Sequence, residues 1–198
     1  MKLVNVMRDS RAEVSSRYRL EAIMFRLARE HADKAEEWAK KYSKSHERSD
    51  LEKEMEHSLQ AIILSHAFLE AYINLIERKR LGKNSSISQT TELGFMGKWS
   101  RVVEAVTGKS LKNDCSLWKR LGELNDLRSK IIHYRPKFSE GVKSWEEKEI
   151  RSENARVAVL VAELVVRKFH ELDGSNPPDF LETLKAGKDY RVVLGEKI

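Results

Sequence analysis

One stretch of the chain sets an arginine and a histidine within a few residues of each other: Leu124-Asn125-Asp126-Leu127-Arg128-Ser129-Lys130-Ile131-Ile132-His133-Tyr134-Arg135-Pro136. A guanidinium grips a phosphate or carboxylate through paired, charge-assisted hydrogen bonds. An imidazole gives or takes a proton near neutral pH. Together they suit a reaction in which negative charge builds up while a proton moves. Leu117, Leu121, Leu124 and Ile131 form an apolar helical stripe, and Arg128 fills its one gap. A lone guanidinium among apolar side chains is expensive. Arg128 therefore either pairs with an internal carboxylate or faces a cavity or a second subunit. Glu70, at the edge of the apolar run His66-Ala67-Phe68-Leu69-Glu70-Ala71-Tyr72-Ile73, is the candidate internal partner. His133 lies five residues after Arg128, which on a regular helix is about 140° of rotation and ~7.5 Å of rise. The two side chains thus share a face only if the helix frays before Pro136 or if two copies meet across a symmetry axis. Taken alone, His133 is also a plain helix-end histidine.

The elements that position these groups are helical. In 198 residues, 34% are charged and only 9 are Gly and 3 Pro, which favours amphipathic helices and leaves room for one sizeable domain. The stripe Leu20, Met24, Leu27, His31, Ala35, Trp38, Tyr42 predicts a first long helix starting near Ser10. Met55, Leu59, Ile62, His66, Leu69, Ile73 and Ile76 predict a second over about 49–81, capped by Ser49 or Asp50 and stopped at Gly82. A polar linker over 83–92 precedes a shorter helix at about 93–106. The Arg128 helix spans about 114–133 and Pro136 ends it. The last long helix is expected over about 144–172, dense enough in Val and Leu to be central. The expected architecture is an all-α, up-and-down bundle of four to five helices over 1–175. A short irregular or strand-like tail follows over 176–198, where Tyr190 to Leu194 and, at the other end, Leu3 to Val6 have strand-like composition.

The net charge is +6, with 37 basic residues against 31 acidic ones, a small excess that can attract nucleic acid or anionic lipid and that ordinary solubility also explains. The densest basic run is Arg78-Lys79-Arg80, a helix C-terminus that also suits phosphate steering, as do Lys130 and Arg135 beside the central motif. A single cysteine, Cys115, forms no internal disulfide and points to a reducing, cytoplasmic setting. No apolar run reaches the ~20 residues of a membrane span, so no membrane partner is expected. His31, His46, His57 and His170 show no metal-ligand spacing, and no cofactor motif stands out. His66, inside an apolar stripe, reads as a core histidine and a neighbour of the Arg128 site.

Leu127 to Tyr134, set before a proline near the end of a bundle, resembles the Arg-x4–6-His signature of the HEPN superfamily, and Ile62 to Ile73 resembles the helix that carries an acidic residue in many members. The resemblance covers about 52–172. Ser129 follows the arginine where members often carry Asn, Asp or His, and Tyr134 follows the histidine directly. The resemblance implies a metal-independent endoribonuclease working as a homodimer, in toxin, antiviral-defence or RNA-processing roles, with RNA as substrate and an antitoxin or other protein as partner. In it Arg128 would hold the scissile phosphate and His133 would move the proton, with Ser129, Glu70, His66 and Tyr134 in support. Other members bind or scaffold without catalysis.

Overall fold

The computed structural model describes residues 20–82, 93–133 and 145–181. Six α-helices are found there: α1 (Leu20–Ser45), α2 (Arg48–Arg80), α3 (Phe95–Thr107), α4 (Cys115–Ile132), α5 (Trp145–Glu149) and α6 (Ser152–Asp173). Two single 3-10 turns, Leu111–Asn113 and Asp179–Leu181, complete the described elements, and no strand occurs among them. The expected all-α bundle is therefore present. Residues 10–19, the 83–92 linker and both strand-like segments lie outside the described residues.

α1 and α2 form the most extensive helix pairing, and the side chains that allow it are small. Ala28, Ala32 and Ala35 are buried along α1 with Phe25, and Ala61 is buried on α2. Short side chains let two helix backbones approach closely, so the alanines become the seam. This corrects the expected α1 stripe in part, since Ala35 belongs to that stripe and is buried. Met24, Leu27 and His31 flank the seam half-buried, and Leu20 is 58% exposed. α2 buries a wide face that includes Ile62, His66, Leu69, Ile73 and Ile76, as expected, together with Phe68 and Tyr72. α6 is the central element. Ala155, Ala158, Val161, Ala162, Val165, Val166 and Phe169 are buried on it, and it packs against α1, α2, α3 and α4.

Two boundaries differ from expectation for identifiable reasons. The expected helix over 144–172 is two helices, broken at Ile150 and Arg151. The Glu54 carboxylate, fully buried on α2, accepts from Arg151 Nε at 2.8 Å and from the Ser152 backbone N–H at 3.0 Å. Glu54 thereby caps the first turn of α6 and holds Arg151 extended (φ −128°, ψ 159°). At the start of α2, neither Ser49 nor Asp50 is the cap. Glu47 occupies that position without a side-chain cap bond, and the Ser45 hydroxyl bridges the turn by accepting from Glu47 N–H and donating to Asp50. Gly82, with φ 85°, takes the left-handed conformation expected after α2. Phe180 and Leu181, read from sequence as tail, join the core: Leu181 is fully buried, and Phe180 meets Phe25 at a tilt and Phe68 edge-on.

By length and composition α2 holds an 18-residue window apolar enough to cross a bilayer, against the expectation that no run comes close. Half of that window is buried inside the bundle.

Candidate functional site around Arg128

Helix α4 starts cleanly. The Asp114 side chain accepts from the Leu117 N–H at 3.1 Å. Leu117, Leu121 and Leu124 are buried and Ile131 half-buried, so the apolar stripe faces the bundle as read. Arg128 sits in that stripe, half-buried, and no described residue makes an ion pair or hydrogen bond with its guanidinium. Glu70, the expected partner, is instead mostly exposed and stands 4.0 Å from His66 Nδ1.

The helix stays regular to Ile132. His133 is its C-cap (φ −100°, ψ 27°), with its N–H donating to Ser129 O at 3.0 Å. No fraying brings the two groups together. His133 is exposed and, by helix geometry, about 140° around α4 from Arg128. One chain therefore does not join Arg128 and His133 on one face.

The imidazole beside Arg128 is His66. It is only 4% exposed, lies stacked on Phe95 with ring centroids 4.1 Å apart, and donates from Nε2 to Asn125 Oδ1 at 3.3 Å. Asn125 is one turn before Arg128 on α4. The junction of α2, α3 and α4 thus places a neutral aromatic, an amide, a guanidinium and an exposed carboxylate around one histidine. Burial lowers the proton affinity of His66, the Asn125 hydrogen bond and Glu70 oppose that, and the nearby Arg128 charge reinforces it. His66 is held neutral near pH 7. Asn125 and Phe95 were missed from sequence. The only available signal was a polar residue one turn before Arg128 beside the stripe, and nothing in the sequence marks Phe95.

The remaining expected site residues are dispersed. Arg78 and Lys79 are exposed at the end of α2, while Arg80 is tied to Asp173 at 2.7 Å. Lys130 is exposed at the rim of a groove of about 300 Å³ between α4 and α6. That groove has an apolar floor of Leu124, Leu127, Val157 and Val161. Arg120 and Lys130 stand against Glu123, Asp126 and Glu149 at its edge, so its charge is mixed and gives RNA no single-sign track. Ser129 is half-buried. Tyr134 and Arg135 lie outside the described residues.

A second polar cluster, unmarked in the sequence, joins α2 to the end of α6. Tyr72 Oη and His170 Nε2 are 2.6 Å apart, His170 Nδ1 and Ser175 Oγ 2.7 Å, and Ser175 donates to Asp173 at 2.6 Å. The Ser175 proton points at Asp173, so His170 must donate from Nδ1 to Ser175 and accept from Tyr72 at Nε2. That direction is the reverse of a serine nucleophile handing its proton to a histidine base. The cluster fastens the turn after α6.

Among the described residues no group of three or more His, Cys, Asp or Glu side chains is placed to hold a metal. Compared with known proteins, the chain matches no family model, no curated protein and no solved structure.

Proposed function

We propose that this chain is a HEPN-like, metal-independent endoribonuclease of the cytoplasm, working as a homodimer in a toxin or defence role, with Arg128 and His133 contributed to one site by different subunits. The observation that carries the reading is Arg128 itself. A guanidinium occupies a leucine position of the bundle, half-buried, with no ion pair or hydrogen bond to any described residue. A charge held that way is suited to an external anion, and RNA phosphate is the anion that the resemblance to the Arg-x4–6-His proteins implies. Divergence of the two side chains on a regular α4 requires the second subunit. Ile132, between them in sequence and 51% exposed, is the apolar residue that a symmetric α4–α4 contact would cover.

In this reading the RNA 2′-hydroxyl attacks the adjacent phosphorus, the bond to the 5′-oxygen breaks, and a 2′,3′-cyclic phosphate and a 5′-hydroxyl end result. Arg128 binds the non-bridging oxygens as charge develops. His133 transfers the proton between the reacting oxygens and solvent. The test is cleavage of single-stranded RNA by the purified chain in chelator, with R128A and H133A alongside. We expect a loss of about 10²-fold or more in each variant with folding intact. Cleavage unchanged in both removes the proposal.

One observation favours a second reading, a non-catalytic bundle that binds or scaffolds RNA or a protein. His133 is an exposed helix cap and, within one chain, has no shared face with Arg128. In that case R128A weakens binding, H133A changes nothing, and no RNA is cut.

A further inference from the structure

His31 on α1 and His57 on α2 are 26 residues apart in sequence, and the fold brings their Nδ1 atoms to 3.0 Å. The ring centroids are 5.2 Å apart and the planes are inclined by 32°. Both rings are half-buried at the flank of the alanine seam, so solvent reaches them. We propose that His31 and His57 form a two-histidine site for a divalent transition metal ion that prefers right-angle ligands, Ni²⁺ or Cu²⁺, with water in the remaining positions.

The spacing suits such an ion. With metal–nitrogen bonds of roughly 2.0–2.1 Å, two nitrogens at this separation subtend about 95° at the metal. That is the cis angle of square-planar and octahedral coordination. Tetrahedral zinc would hold the same two nitrogens roughly 3.3 Å apart. In the metal-free pair, one Nδ1–H donates to the other Nδ1. On binding, the ring that carried that proton at Nδ1 carries it at Nε2 instead. Both imidazoles then offer a lone pair to the ion, both stay neutral, and no proton is released. Burial already disfavours the charged form of each ring, which limits competition from protons.

The surrounding charges are balanced. Glu30 and Glu56, each directly before one of the histidines, draw a cation in, while Lys34 and Lys53 oppose it. Glu30 is also engaged by Arg26 at 2.7 Å and Glu56 by Lys53 at 3.1 Å. The two imidazoles therefore supply the bonds to the ion, and the carboxylates contribute only field. Because one ligand comes from each helix, the ion would clamp α1 to α2.

The experiment is calorimetric titration of Ni²⁺ into the full chain at about pH 7.5, where both imidazoles are neutral. H31N, H57N and the control H46N, which alters an exposed histidine, are titrated alongside, and each is checked for folding by circular dichroism. We expect one ion per chain in the parent and in H46N, with affinity lower by about tenfold or more in H31N and in H57N. Melting temperature should rise with Ni²⁺ only in chains that keep both histidines. Absence of one-to-one binding in the parent, or wild-type affinity in either H31N or H57N, overturns the site.

Discussion

Replacing Arg128 by Leu continues the apolar stripe of Leu117, Leu121 and Leu124 and removes a half-buried charge that makes no ion pair or hydrogen bond with any described residue. Removing the desolvation cost of that charge and adding apolar burial is expected to leave stability unchanged or raise it by about 1 kcal/mol. R128L is therefore expected to melt at or above the parent temperature while RNA cleavage is lost. A thermal melt beside a cleavage assay reads both. A drop in stability of more than about 2 kcal/mol would mean that Arg128 is a structural partner after all. The gap that Arg128 fills was legible in the sequence because it interrupts a periodic pattern on a single helix. Its surroundings were not. His66 and Asn125 are 59 residues apart and meet only through the packing of α2 on α4. The pairing of His31 with His57 depends in the same way on α1 lying against α2.

Among the elements, the break between α5 and α6 rests on one fully buried side chain. Glu54 satisfies Arg151 and the Ser152 N–H together. Glu54→Ala leaves a partly buried guanidinium and a helix-end donor without their acceptor, which is expected to cost about 3–5 kcal/mol. Urea unfolding checks this, and a cost below about 1 kcal/mol would contradict the capping role. The alanine seam makes a second element-scale expectation. Ala28→Leu inserts three extra carbons where α1 packs closely, so a destabilisation of roughly 1–3 kcal/mol should appear in the same assay. Helix positions were readable from the spacing of apolar residues and from Gly82. The buried face of α1 was readable only in part: Ala35 belongs to the expected stripe and is buried, whereas Ala28 and Ala32 are buried in place of the larger Met24 and Leu27. The expected single helix over 144–172 failed for a related reason. A glutamate some 97 residues away in sequence redirects the chain at Arg151.

For the whole molecule, four histidines are held neutral chiefly by burial: His31, His57, His66 and His170. Each has a folded-state pKa below its ordinary value of 6.5. Below about that pH the unfolded chain therefore binds more protons than the folded one. Their contribution to stability is fully present above the unfolded pKa and falls as pH drops through and below it. The urea midpoint should decline from about pH 7.5 to about pH 5, and a midpoint that rises over that range would contradict the assignment. Activity belongs to this scale too, because the proposed site is completed only by two copies of the chain. The most direct test mixes the two inactive variants, R128A and H133A, under conditions that let subunits exchange. If Arg128 of one copy works with His133 of the other, a mixed dimer holds one site with both residues intact. Cleavage should then return to about a quarter of the parent rate, the statistical share for random pairing in a two-fold dimer. A mixture as inactive as either variant alone would contradict the shared site.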